Sequence, residues 1–164
     1  MFTGRHFHFM DNKGRVSIHS RYREILQEHQ DQQIIITNFQ QKIQLDGVER
    51  IRYILAFPSS EWHKLLDRWA EHDEFPNPQR NFQRFIVSGA EECPLDRQGR
   101  ILIPPNLREY AKLSREVCVV GMMRRFEIWD KAAYEAHWKQ LEESVDEEML
   151  EVAMKSNRRP DAGS

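Results

Sequence analysis

The chain repeats itself at a fixed distance, and few other features limit its fold as tightly. Asp11-Asn12-Lys13-Gly14-Arg15-Val16-Ser17-Ile18 returns as Asp96-Arg97-Gln98-Gly99-Arg100-Ile101-Leu102-Ile103, 85 residues later. At the same offset Arg23-Glu24 matches Arg108-Glu109, and Tyr22, Ile25 and Leu26 match Leu107, Tyr110 and Ala111. A supersecondary unit present in two copies does not bury its apolar face alone, so the copies must pack together. The same arrangement presents one Arg-bearing turn twice.

Each copy reads as strand, tight turn, strand, short helix, further strands and a longer helix. Phe7 and Phe9 alternate with polar residues before the turn, as do Val16 and Ile18 after it, the period-2 signature of half-buried strands. Asp11 and Asp96 open the turns, where a carboxylate accepts backbone N–H bonds. Gly14 and Gly99 stand where a three-residue hairpin loop with a bulge needs positive φ. A helix is expected from near Ser20, and its counterpart from Pro105, a favoured first-turn residue. The runs Ile34–Thr37 and Val117–Val120 correspond as strands, as do Tyr53–Phe57 and Arg125–Trp129. The offset of the last pair is 72 rather than 85, so the first copy carries 13 extra residues; they are expected around Gln40 to Arg52, as a hairpin lengthened at Asp46-Gly47. Ser60 is expected to cap a helix with Trp62, Leu65, Leu66 and Trp69 on its inner face. Asp130 is expected to cap another whose face is Tyr134, Trp138, Leu141 and Val145. A helix from Asn77-Pro78, with Phe82, Phe85, Ile86 and Gly89 aligned, links the copies.

Composition narrows the function classes. At 164 residues and 40% hydrophobic the chain builds one compact domain or two small ones sharing a core. Its longest apolar run, Val117 to Met123, is too short for a bilayer, and its first residues form no apolar signal region. A cytoplasmic protein with reduced thiols is expected, Cys93 and Cys118 forming neither a zinc pattern nor a disulfide framework. The net charge is −2, yet residues 142–151 hold six acidic side chains and no Lys or Arg; with those set aside the remainder is +4. A local basic surface is therefore compatible with a mildly acidic whole, and local potential governs association with phosphates.

Met1-Phe2-x-Gly4, then Met10-Asp11-x-Lys13-Gly14-Arg15 and Arg21-Tyr22-Arg23-Glu24, resemble the opening of the MraZ family. Glu92-Cys93-x-x-Asp96-x-x-Gly99-Arg100-x-x-Ile103-Pro104 is similar to that family's second unit, so the likeness covers roughly residues 1–140. The resemblance implies an α+β fold of two tandem AbrB/SpoVT-like swapped-hairpin units, of double-split β-barrel type, forming an intramolecular pseudo-dimer with flanking helices. On that reading residues 5–61 are the first unit with its enlarged hairpin and 62–89 the connecting helices. Residues 90–133 are then the second unit, 134–157 C-terminal helices and 158–164 a disordered tail. It also implies a transcriptional regulator, a repressor by expectation, that is nucleoid-associated. Such a protein binds repeated promoter boxes upstream of the bacterial division and cell-wall genes, its own gene included, as a closed ring homo-oligomer. Its partners are then double-stranded DNA and itself, with no membrane, small-molecule substrate, cofactor or metal.

Lys13, Arg15 and Arg100 are the expected DNA contacts, with Arg5 and Arg97 as weaker electrostatic candidates; Asp11, Gly14, Asp96 and Gly99 structure the turns. A bidentate Arg–guanine pair discriminates by roughly 1–3 kcal/mol, so several protomers reading several boxes would supply the rest of the specificity. Arg21 and Arg23 either flank the site or solvate their helix. The first turn, with Lys13 where the second has Gln98, is expected to be the principal reader. His19 stands where the family's first unit has proline, which is expected to alter the entry to the helix.

Two other classes compete. His6 and His8 share one strand face, but no third ligand is spaced to join them, and no phosphate loop or nucleophile motif occurs, so catalysis is not expected. The alternative is a non-catalytic assembly or antitoxin-like protein-binding module of the AbrB group, using the acidic C-terminal segment.

Overall fold

The two arms of each expected hairpin part company after the turn, and every other feature of the architecture follows from that exchange. The computed structural model describes residues 1–45, 47–71 and 77–156; Asp46 and the tail 158–164, expected as a turn residue and a disordered end, lie outside the described residues. In chain order the first repeat runs β1 (Arg5–Phe9), β2 (Arg15–Ser17), α1 (Ser20–Glu28), β3 (Gln33–Leu45), β4 (Gly47–Pro58) and α2 (Ser59–Ala70). After α3 (Asn77–Ser88) the second runs β5 (Glu91–Pro94), β6 (Arg100–Leu102), α4 (Pro105–Tyr110), β7 (Glu116–Met122), β8 (Arg125–Asp130) and α5 (Lys131–Ser144); α6 (Glu147–Lys155) follows.

A six-stranded sheet has the order β1-β7-β8-β4-β3-β5, and β2 pairs separately with β6. Thus β1 lies on β7 of the other repeat, Phe7 opposite Cys118, while β5 lies on β3, Cys93 opposite Ile34. A pseudo-twofold relation passes between β8 and β4, where Leu55 faces Glu127. The loops with glycine at positive φ are present as expected, but the flanking strands belong to different sheets rather than to one ladder. The physical reason is burial: β2 is three residues long, and Val16 and the following Ile18 are buried by packing with Tyr22 and Leu26 of α1 and Leu107 and Ala111 at α4.

Both repeats feed one core on this face. Val16, Ile18, Tyr22 and Leu26 interlock with Ile101, Ile103, Leu107 and Ala111 above Ile34, Ile36, Ile54, Val117, Val119, Phe126 and Ile128. The opposite face carries a second cluster, in which Trp62, Ile86 and Tyr134 from α2, α3 and α5 cover Ile35, Tyr53, Leu55 and Trp129. Cys93 and Cys118 are buried, and burial pushes each thiol up to about 11.

Four local expectations are corrected. His19 enters α1 at φ −53, ψ 141, nearly the φ −60, ψ 150 of Pro104 before α4, so the helix entry is unaltered; its Nδ1 accepts from the Arg21 N–H. Ser60 does not cap α2. Asp31, from the loop after α1, accepts from Ser60 N–H and Ser59 Oγ–H through Oδ1 and from Ser60 Oγ–H through Oδ2. Asp130 does cap α5, accepting from Ala133 N–H, but the residues that helix buries are Tyr134 and His137, and Trp138 and Val145 are exposed. Finally, the extra residues divide. Paired Ile34 and Pro58 are 24 residues apart, and the equivalent Val117 and Asp130 are 13 apart, so the β3–β4 hairpin holds 11 of them. The remaining two lie before β3, where α1 has nine residues and α4 six.

Candidate nucleic-acid interface

Each turn is built around one carboxylate. Asp11 Oδ1 accepts from the N–H groups of Lys13 (3.0 Å) and Arg15 (2.9 Å), and Oδ2 accepts from Arg15 Nε (2.8 Å). Asp96 repeats the pattern with Gln98, Arg100 and Arg100 Nε, all at 2.9 Å. The backbone bond from Arg15 leads the contributions that hold the Asp11 carboxyl down at about 2, and the corresponding bond from Arg100 lowers Asp96. Bonded through Nε, each guanidinium is held in one orientation, with side chains still 33% and 27% exposed for Arg15 and Arg100. The Nη groups of Arg15 make no hydrogen bond among the described residues, so they remain available to an acceptor outside the molecule.

The swap brings the two turns together. Ile18 N–H donates to the Gly99 carbonyl and Ile103 N–H to the Gly14 carbonyl, each at 2.9 Å, so each turn glycine is bonded by the other repeat. Arg100 Nη1 lies 3.8 Å from Asp11 Oδ2. Gly14 (φ +88) and Gly99 (φ +73) are needed twice over, for the left-handed backbone and for space. A Cβ on Gly14 would come within 2.7 Å of the Arg108 guanidinium, and one on Gly99 within 2.6 Å of Arg23 Nη1. Arg23 and Arg108 therefore lie against the turn of the opposite repeat, each with its Nε buried and unpartnered among the described residues.

Of the residues expected at the interface, Lys13 and Arg15 lie on the first turn and Arg97 and Arg100 on the second, with Lys13 and Arg97 exposed. Arg5 does not join them: it stands at the far end of β1 with its guanidinium 4.0 Å from the centroid of the Trp138 ring. Arg21 is exposed at the start of α1. Arg108 was not singled out by sequence reasoning. Its match to Arg23 was visible, but that the two cross over depends on the exchange of strands. His6 stacks on His19 at 3.7 Å between centroids. Among the described residues no three His, Cys, Asp or Glu side chains are grouped to hold a metal, and no helix is long and apolar enough to cross a membrane.

An α+β chain whose two hairpin units exchange strands and set paired Asp–Arg turns side by side is a tandem swapped-hairpin protein. The chain belongs to the MraZ family, whose model, described as "MraZ protein, putative antitoxin-like", matches residues 1–85 and 86–153. It is 39% identical over 138 residues to the transcriptional regulator MraZ of Syntrophobacter fumaroxidans, covering 84% of this chain and 85% of the relative. It is 40% identical to that of Pelotomaculum thermopropionicum over 157 residues (96% and 98% covered) and 40% identical to that of Acidithiobacillus ferrooxidans over 136 residues (83% and 87%).

Proposed function

We propose that this protein is a DNA-binding transcription regulator that reads duplex DNA with its two joined turns. The observation that carries the reading is the pair of Asp-oriented arginines, Arg15 and Arg100, fixed next to each other by the β2–β6 ladder with their guanidinium groups partly exposed. An arginine held through Nε presents its remaining N–H groups in the geometry that guanine O6 and N7 accept. Lys13 and Arg97, exposed on the same turns, neutralise phosphates. Relatives named transcriptional regulators support this class of function. The targets are repeated boxes upstream of the division and cell-wall genes, including its own. Several protomers closed into a ring each engage one box, and occupancy represses the promoter.

The test is fluorescence anisotropy with duplex DNA from upstream of the protein's own gene and a shuffled duplex as competitor. Tight, salt-sensitive binding that favours the native duplex is expected. Arg15→Ala and Arg100→Ala should each remove at least tenfold of that preference while circular dichroism stays unchanged. Equal affinity for both duplexes in the parent protein would end the reading.

The exposed α6 favours a second role in self-association. It buries no residue, and Met149, Leu150, Val152 and Met154 are exposed on it beside Glu147, Glu148 and Glu151.

A further inference from the structure

The lengthened β3–β4 hairpin extends past the sheet edge where the first turn emerges. At that edge Phe9 pairs with Glu116 and Val117 with Asp130, while Gln40 pairs with Arg52 on the strands that continue outward to Leu45 and Gly47. Side chains alternate along a strand, so Arg50 and Arg52 share a face with Ile54, a member of the core beneath α1 and α4. The Arg52 guanidinium lies over the Tyr110 ring on α4 at 5.3 Å, which fixes the face independently. Burial raises the Tyr110 phenol, and the charges of Arg52 and Arg50 oppose that shift, so both cations lie near it. Lys42 is paired directly opposite Arg50, and all three cations are exposed.

Two like charges opposite each other in a ladder destabilise it, and among the described residues neither Lys42 nor Arg50 is in an ion pair. The cleft of about 420 Å³ beside the hairpin is lined by Arg50, Arg52 and Lys112 with Glu49 and Asp130. Asp130 already accepts from Ser114 N–H, Ser114 Oγ–H and Ala133 N–H, and among the described residues no carboxylate lies within 4.0 Å of Lys42, Arg50, Arg52 or Lys112. The step from this patch to the first turn is short: Lys112 and Arg115 lie in the α4–β7 connection, and the Arg115 carbonyl accepts from Met10 N–H, the residue before Asp11.

We infer that the lengthened hairpin is a second DNA-contacting arm, in which Lys42, Arg50 and Arg52 track the phosphate backbone beside the segment read by the first turn. This rests on the DNA-binding reading above. Arms about 17 Å long, at the rise of an extended strand, reach well beyond one phosphate. The second repeat has no such arm: β7 turns directly into β8, with Met122 paired to Arg125. The added contact is therefore one-sided.

The test compares the parent chain with K42A/R50A/R52A by anisotropy across a KCl series, using the upstream duplex and a shuffled duplex. With a slope of about −0.9 per neutralised phosphate, the triple variant should lose about 2 to 3 from the log–log salt slope. It should keep the preference between duplexes and melt no lower than the parent. Hydroxyl-radical footprinting should show protection lost on one flank only, and K42R/R50K/R52K should restore it. If the triple variant fails to fold, R50A alone should reduce the slope by about 1. An unchanged slope, loss on both flanks, or an altered molecular mass in solution with the slope unchanged (the acidic α6 of a second copy being the occupant) overturns the arm while the regulator reading stands. A parent chain that ignores DNA at every salt overturns both.

Discussion

Asp11 and Asp96 hold their turns only while ionised, and this gives the site an acid limit. The carboxyl of Asp11 is at about 2 in the folded chain against an ordinary 3.8. Its stabilisation is complete above the ordinary value and is lost as pH falls through about 2. A carbon-13 titration of the Asp11 carboxyl should give that low midpoint, and one near 4 would contradict the bonding. Asp11→Asn keeps an acceptor for the Lys13 N–H, removes the ion pair with Arg15 and adds one unit of positive charge. Non-specific DNA affinity should rise while the preference for the upstream duplex falls about tenfold, the weight of roughly one bidentate contact; a competition assay at fixed salt separates the two. Gly14→Ala forces a Cβ against the Arg108 guanidinium in a left-handed backbone, and a loss of about 1–3 kcal/mol in chemical denaturation is expected.

Among the elements, each turn depends on a helix from the other repeat. Arg108→Ala should shift the amide resonances of Gly14 and Arg15 more than those of Gly99 and Arg100, and Arg23→Ala should do the reverse. A shift confined to the mutated repeat would mean that the crossing is not what supports the turns. The Asp-x-x-Gly-Arg turns, the repeat and most element positions were legible because each rests on local chemistry: an Asx-type carboxylate, a glycine at positive φ, a period of two. What was not legible is non-local. Nothing around Asp31 announces that it caps a helix nearly thirty residues downstream. Nothing in Arg5 foretells Trp138, and nothing in the spacing of α5 foretells that Trp138 and Val145 stay exposed. His19 departs from expectation for a different reason: the extended backbone before a helix is open to most residues, and proline only fixes it in advance.

For the molecule as a whole, the exchange of strands makes two copies one folding unit. Residues 1–89 without 90–164 would leave β1 and β3 without their partners β7 and β5 and open the core that both repeats share. Each fragment should be unfolded alone by circular dichroism, and an equimolar mixture should regain the native spectrum; a folded isolated fragment would contradict the shared core. Removing α6 should leave the melting temperature within a degree or two, since it buries nothing, and should alter the mass in solution by light scattering if it mediates assembly.

A reader with true twofold symmetry docks equally well in either direction along a duplex. Here the hairpin at one margin of the sheet has no counterpart at the other, so the molecule has a front and a back. Head-to-tail DNA repeats, which share one heading, suit such a lopsided shape, whereas a palindrome would present one of its halves the wrong way round.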